Sequence, residues 1–415
     1  MYKYLKFVSL NWKGLLFGAI LMATSSFGQT YFVALYSGSF RGFFSLSDGE
    51  LGAIYAVATL LSALTLPWIG RLIDRVSLFC YTLFVAIGLV LASLVTAASV
   101  GIITLGVGFY LLRLSGQGLM VHTAMTATAR KFPIDAGKAL GLIALGLALA
   151  QALMPLASVG MIDAIGWRWA WIVNAVVVAV IMAFALRLIP TTISIQKKES
   201  NRTTAPPINL RLWRDPRILL TLPIILASPF ITTGFFFHQA RLSEEMNWSI
   251  AWVAGWFVVY ALTQALSLIF SGPILDRYGP VRILPFFMAP QGIAMVMLYL
   301  SSSVWIAPLY LVLTGVSSAV ASTLSTALWM QLYGQGQLGR IRSLVGAWSV
   351  VASGASPVIM GVLIDQGITL RLQALGCLAF ILIASLLPTK ALFLERADYQ
   401  YCLLYTSPSP RDGLL

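Results

Sequence analysis

Twelve apolar stretches constrain this chain more than any other feature of its sequence. A helix that spans a bilayer needs about 20 consecutive, mainly apolar residues. No segment alternates apolar and polar residues over about ten positions, as a membrane barrel would require. The sequence therefore predicts an all-α membrane protein. Its twelve transmembrane helices are expected near residues 14–36, 50–70, 78–98, 101–125, 138–162, 168–189, 217–240, 250–271, 281–301, 304–330, 343–364 and 369–388. Polar clusters such as Gln335–Arg342 separate them.

The composition excludes several classes of protein. Hydrophobic residues make up 59% of the chain and charged residues only 10%, whereas soluble proteins carry roughly 25% charged residues. A soluble enzyme, a disordered chain and a nucleic-acid-binding protein are therefore excluded, and the lipid bilayer is the expected environment. Three cysteines in 415 residues do not form a disulfide framework.

The basic residues predict the orientation of the spans. With a cytoplasmic N-terminus, 21 lysines and arginines fall on the cytoplasmic side and four on the outside, namely Arg41, Arg168, Arg241 and Arg371. Cytoplasmic loops of membrane proteins typically carry such an excess of lysine and arginine. Both termini are expected to be cytoplasmic. The net charge of +13 then indicates topology and attraction to anionic lipid, and no nucleic-acid partner.

The chain contains an internal repeat at an offset of 202 residues. Seven pairs of residues at loops and helix breaks match at this offset: Gly70/Gly272, Asp74/Asp276, Arg75/Arg277, Gly137/Gly339, Lys138/Arg340, Pro155/Pro357 and Asp163/Asp365. The repeat predicts two six-helix bundles, residues 1–190 and 217–395, joined by a polar cytoplasmic linker at 191–216. Residues 396–415 form a tail. From Cys402 it resembles a translated sequencing adapter, and this part is left out of the fold prediction.

Three motifs resemble those of the major facilitator superfamily of secondary transporters. The segments Gly70–Arg75 and Gly272–Arg282 are similar to its G-x-x-x-D-R-x-G loop, and the first departs from it after Arg75. Arg113–Gly118 resembles its R-x-x-G-x-G stretch on the fourth helix, and Gly166–Arg168 is also similar to the family. The resemblance covers residues 1–395.

This resemblance implies a carrier in the bacterial cytoplasmic membrane with a central cavity between two pseudo-symmetric halves. It would work by alternating access as a monomer, on a small-molecule substrate with a coupling proton or counter-ion, and without a cofactor. The loop residues Gly70, Asp74, Arg75, Gly272, Asp276, Arg277 and Gly279 would gate the cytoplasmic mouth. In the outward-open state, symmetry places Asp74 near Arg340 at the start of the eleventh helix. It places Asp276 near Lys138 at the start of the fifth.

Two prolines are expected to break helices within the membrane. Pro155 and Pro357 each remove a backbone hydrogen bond in the middle of a helix. These prolines could let the helices bend during transport, or they could form fixed kinks that shape packing, and the sequence does not distinguish the two.

Arg113 is the one charge deep within the spans, whose acids lie only at their ends or in the loops between them. A charge at the bilayer centre normally faces water or a partner, so we expect Arg113 to line the cavity. Gln117 follows one turn later on the same face. His122 lies on the opposite face of a straight helix and is expected to be a packing residue. An arginine without an acid favours an anionic substrate, although it could equally tie the fourth helix to neighbouring backbone.

In the family, the first, fourth, seventh and tenth helices line the cavity, which suggests further candidates. These are Ser26, Gln29, Thr30, Thr232, Thr233, Phe237, His238, Gln239, Ser322, Thr326 and Trp329, with Tyr260, Gln264 and Trp348 as weaker ones. His238 is expected near the outer mouth. There it is either a proton relay or a plain interfacial histidine.

The leading hypothesis is a secondary carrier for a small solute, in particular an organic anion. A proton-linked multidrug exporter is the alternative, although a buried carboxylate for cations is missing. A membrane sensor that transports nothing would usually carry a soluble signalling domain. No phosphate-binding loop, metal-ligand pattern or nucleophile–base pair is present, so the sequence does not predict an enzyme.

Overall fold

The computed structural model describes residues 2–189 and 215–406, with residues 2–5, 335–336 and 389–406 described by their backbone alone. Nearly all of the predicted linker, and residues 407–415 of the tail, lie outside the described residues. Within the described part, ten helices are long and apolar enough to cross a membrane. One of the ten, Ala136–Arg187, breaks at Gly166 (φ 78°, ψ 159°) into two helices, which makes eleven. The shorter apolar helix Ala289–Leu300 is a twelfth element of the described chain, which is consistent with the predicted count.

We label these elements α1 to α12 in chain order. They are α1 (Tyr2–Thr24, followed by short turns and the helix Ser37–Phe44), α2 (Asp48–Gly70), α3 (Leu78–Ala97), α4 (Ile102–Leu111, Leu112–Met120 and Val121–Lys131), α5 (136–165), α6 (167–187), α7 (Pro216–Phe237, then Gln239–Met246), α8 (Ile250–Tyr278), α9 (Pro280–Ile283 and Ala289–Leu300), α10 (306–333), α11 (335–365) and α12 (Leu370–Thr406).

Several helix bounds differ from the prediction. α1 ends at Thr24 instead of continuing to residue 36. The polar cluster Gln335–Arg342 was expected to be a break, but the chain turns at Gly334 alone (φ 71°), because glycine adopts this backbone conformation without strain. α12 remains helical to Thr406, past the predicted boundary at residue 395.

The backbone repeats the 202-residue offset. Ser45 (φ 53°) and Asn247 (φ 56°) are the non-glycine residues with positive φ in the described chain, and they lie 202 positions apart. Each ends a short helix in the left-handed conformation and leads into a serine N-cap, Ser47 of α2 or Ser249 of α8. Equivalent turns therefore begin equivalent helices in the two halves.

Large apolar side chains cover the outside of the bundle, while polar side chains lie within it. Leu64, Trp68 and Phe270 are more than 60% exposed, and surface of this kind is stable only against lipid. Asn174 is 2% exposed, and its Nδ2 donates to the Tyr36 hydroxyl at 2.9 Å. This inversion of the usual pattern is what a bilayer requires.

Candidate functional site

The candidate site lies where α1 breaks against α4. After Gly28, Gln29 takes an extended conformation (φ −78°, ψ 149°) before the chain resumes a helical course at Thr30. A Cβ atom on Gly28 would lie 2.7 Å from the backbone nitrogen of Gln117 and 2.9 Å from Cα of Gly116. The two segments approach this closely because both positions are glycine.

The part of α4 that faces this break is a π-helix, Leu112–Met120. Such wide turns are rare and occur frequently at functional sites. The segment carries both Arg113 and Gln117. The prediction that His122 lies on the face opposite Arg113 assumed the 100° per residue of a straight α-helix. This rotation does not hold over the π-helical stretch. His122 lies with Nε2 3.2 Å from the Gly70 carbonyl oxygen, so it joins α4 to α2.

Arg113 is 7% exposed and points at the break in α1. Its Nη1 donates to the Gly28 carbonyl and to the Thr30 hydroxyl, both at 3.3 Å. The Tyr55 hydroxyl donates to Thr30 Oγ1 at 2.8 Å, and its ring lies 5.3 Å from the guanidinium carbon. Arg113 forms no ion pair with any described residue, and its buried Nε has no hydrogen-bond partner there. The guanidinium is therefore held by neutral groups, and its Nε–H donor remains without a partner in the described chain.

Other predicted site residues also bring polar atoms without partners to the interior. Ser26 Oγ, Gln117 Oε1 and Thr232 Oγ1 are buried, and none has a hydrogen-bond partner in the described chain. Thr233 and Gln29 are half-buried. Trp329 is fully buried, but its Nε1 donates to Ser325 within α10. No described hydrogen bond or ring contact brings it to Arg113.

Aromatic side chains of the two halves meet at Tyr31 and Tyr55. The Tyr55 ring lies 4.7 Å from that of Phe237, and the Tyr31 ring lies 5.8 Å from that of Phe257. Gln239 Nε2 donates to the Tyr31 carbonyl at 3.0 Å. Tyr55 was not expected here, because α2 is not among the lining helices that the family suggests, and Tyr31 was not among the candidates on the first helix. A lone tyrosine in the apolar run of α2 was the available signal.

One end of the bundle is closed by contacts between the halves. Following the predicted orientation, we call it the outer end. The Asp365 carboxylate accepts from the Ser47 hydroxyl at 2.7 Å and from the backbone nitrogens of Asp48 and Gly49 at 3.1 and 2.9 Å. A Cβ atom on Gly361 would lie 2.5 Å from the Asp48 carbonyl oxygen. α2 and α11 are therefore in backbone contact.

His238 lies within this closure and is 2% exposed. Its Nε2 lies 2.9 Å from the Pro357 carbonyl oxygen, and its Nδ1 lies 3.4 Å from Asp48 Oδ1. Pro155, the counterpart of Pro357, is buried within α5. Nearby, burial raises the pKa of the Glu245 carboxyl above its ordinary value, against the opposing effects of the Leu370 N–H and the Arg241 charge.

At the inner end, the loop acids pair within their own half or face solvent. Asp74 pairs with Arg130 of α4, and Lys138 binds Asp135 at 2.7 Å. The remaining motif residues, Arg75, Asp276 and Arg277, are exposed, while Arg340 is half-buried in α11 and Gly272 is half-buried in α8. Gly279 has φ 80°. The pairings expected in an outward-open state stay predictions, because the outer end is closed here.

Comparison with known proteins gives one family. The model of the Major Facilitator Superfamily matches residues 15–258 and 238–400. The nucleoside transporter NupG superposes with a TM-score of 0.73 at 11% identity, over 92% of this chain and 98% of that one. A bacterial homologue of the human lysosomal transporter Spinster, inward-facing and occupied, gives 0.67 at 16% identity, over 91% and 96%. The predicted resemblance and fold class are confirmed: the chain belongs to the Major Facilitator Superfamily.

Proposed function

We propose that this protein is a secondary carrier that moves a small organic anion across the bacterial cytoplasmic membrane by rocking between outward-open and inward-open states. The family supports transport. The closed outer end, with Asp74 and Lys138 paired within their own half at the inner end, is the arrangement expected of one of the two states. The anionic substrate rests on Arg113.

The carrying observation is a buried guanidinium without a counter-charge. Placing an arginine at the centre of a membrane helix costs about 2.5–3.5 kcal/mol on insertion scales. Here the hydrogen bonds of the guanidinium to described residues come from Nη1 and reach only a carbonyl and a hydroxyl oxygen, while the buried Nε has no hydrogen-bond partner in the described chain. Nε and Nη2 form one edge of the planar group, and a carboxylate binds such an edge through two parallel hydrogen bonds. A substrate anion would supply the missing charge.

The test compares affinity with stability in the same variants. A thermal-shift panel of small mono- and dicarboxylates and organic cations selects the ligand, and its affinity is then measured on the purified protein. Arg113→Gln is expected to abolish binding. Arg113→Lys should weaken it more than tenfold, because an ammonium group has no planar fork. Neither variant should prevent folding.

Arg168 provides a matched control. It donates to the carbonyl oxygens of Ala97 and Ser99 at 2.9 and 2.8 Å, so it ties backbone as Arg113 does, but away from the site. Arg168→Gln should lower Tm and leave ligand affinity unchanged. If Arg113→Gln behaves in the same way, Arg113 is only a structural tie. Binding of cations in place of carboxylates would favour a drug exporter.

The proposed orientation has its own test. In a variant with Cys80, Cys377 and Cys402 replaced by serine, we place single cysteines at Ile134, which is 96% exposed, or at Ser302 in the opposite loop. A membrane-impermeant thiol reagent added to intact cells should label Ser302→Cys and not Ile134→Cys. Labelling of Ile134→Cys alone would reverse the orientation.

A further inference from the structure

At His238, titratable groups of the two halves meet in a buried setting. Its ring lies between Asp48, at the start of α2, and Pro357, in α11. Asp48 is itself 7% exposed. The pairing exists only while the outer end is closed, because Asp48 belongs to one half and His238 to the other.

The geometry places an acceptor against each ring nitrogen. A carbonyl oxygen has no proton to donate, so Nε2 carries a hydrogen toward Pro357. In the neutral imidazole, Nδ1 would then present a lone pair to the Asp48 carboxylate at 3.4 Å. A second proton removes this repulsion, either on Nδ1 or on the carboxyl group. The closed arrangement therefore accommodates one proton more than a neutral histidine and an ionised aspartate.

Charged groups of both halves surround this pair. Asp48 Oδ2 accepts from Arg41 Nη1 at 2.9 Å, and Arg41 Nη2 reaches Glu244 at 3.2 Å. The acids at this end are Asp48, Glu50, Asp163, Glu244, Glu245 and Asp365, and the arginines are Arg41, Arg168, Arg241 and Arg371. Six acids and four arginines therefore lie at this end, and its formal charge is negative.

We propose that His238 and Asp48 form a proton-binding site shared by the two halves, and that protons from the outer side stabilise the closed state. Opening would withdraw the carboxylate from Nδ1 and release the proton. This inference rests on the proposed alternating access and names the proton as the ion linked to outer closure. For one linked proton, the ratio of closed to open molecules changes by at most about tenfold per pH unit.

The experiment measures the two states directly. Spin labels on Val100→Cys and Ser302→Cys, at equivalent exposed positions of the two outer loops, report a short distance when the outer end is closed and a longer one when it is open. The full-length protein, with its native cysteines replaced by serine, is placed in nanodiscs. From about pH 8 to about pH 5, the interval in which imidazole titrates, the short-distance fraction is expected to rise.

Two variants and a control assign the effect. His238→Gln keeps a donor for Pro357 but cannot take up a proton, so its distances should not respond to pH. In Asp48→Asn, the amide N–H of the asparagine can donate to Nδ1 without any uptake of a proton. The outer end of this variant should therefore be closed at every pH. His122→Gln changes the other histidine, at the inner end, and should respond as the parent does.

The outcomes separate this inference from the proposed function. The parent could show both a short and a long distance in proportions that do not change with pH, or His238→Gln could keep the full pH response. Either result would overturn the proton site and leave alternating access standing. A single distance at every pH, together with no carboxylate binding, would overturn both.

Discussion

The carboxylate of Asp365 accepts a hydrogen bond of 2.7 Å from the hydroxyl of Ser47. An acid of the C-terminal half thereby caps a helix of the N-terminal half, where the helix dipole favours a negative charge. The repeat offers an equivalent pair, Asp163 and Ser249. Asp163 is exposed, and Ser249 makes no side-chain cap hydrogen bond. Capping across the halves is therefore one-sided, and outer closure depends on α2 and α11.

Replacing Asp365 with alanine should favour the outward-open state. Loss of an N-cap acceptor costs about 1 kcal/mol, which corresponds to roughly a fivefold change in the closed-to-open ratio. The Val100/Ser302 label distance measures this ratio. Asp163→Ala is the matched control at the equivalent position and should leave the distance distribution as it is. Equal effects of the two variants would mean that the cap plays no part in closure.

Gly52 should be indispensable for outer closure. A Cβ atom there would collide with the Pro357 carbonyl oxygen, so Gly52→Ala must push α2 away from α11. Overpacking of this kind typically costs about 1–3 kcal/mol, and the short label distance should be lost. Gly255→Ala, at a site on α8 with no atom within 4 Å, serves as control. A Gly52→Ala protein that still shows the short distance would contradict the contact.

Glu245 should make stability fall as pH rises. Burial raises its pKa above the ordinary value, so the folded protein binds this proton more tightly than the unfolded chain. Its favourable contribution is present at low pH and is lost between the ordinary pKa of about 4.3 and the raised value. Glu245→Gln keeps an acceptor for Leu370 and removes the titration. Its Tm should exceed that of the parent at neutral pH, and the difference should shrink in acid. A difference that is constant with pH would refute this assignment.

The inner end should close when the outer end opens. In that state, Asp74 is expected to leave Arg130 and approach the start of α11. A short bifunctional thiol reagent should then join Val76→Cys to Ser343→Cys, both exposed here, in higher yield in an Asp365→Ala background. Unchanged yield despite a longer outer distance would show that the two ends are not coupled. Gly255→Ala is the background that should leave the yield unaltered.

Much of the fold was predictable from the sequence, because the signals are local or periodic. Apolar runs of bilayer length give the spans, and the 202-residue offset gives the repeat that Ser45 and Asn247 display in their backbone angles. Bounds were less certain where the chain bends. A single glycine at 334 turns the chain, while the polar residues after it continue as a helix.

The sequence also determined that Arg113 is the charge in the spans that no acid neutralises. What holds it was decided by tertiary structure: the π-helix at Leu112–Met120, the break at Gln29 and the hydroxyl of Tyr55. His238 was predicted near the outer mouth, but its position between Asp48 and Pro357 was not. These features depend on contacts between segments far apart in the chain. Such contacts arise only when close packing brings two backbones together, and no local pattern in the sequence encodes them.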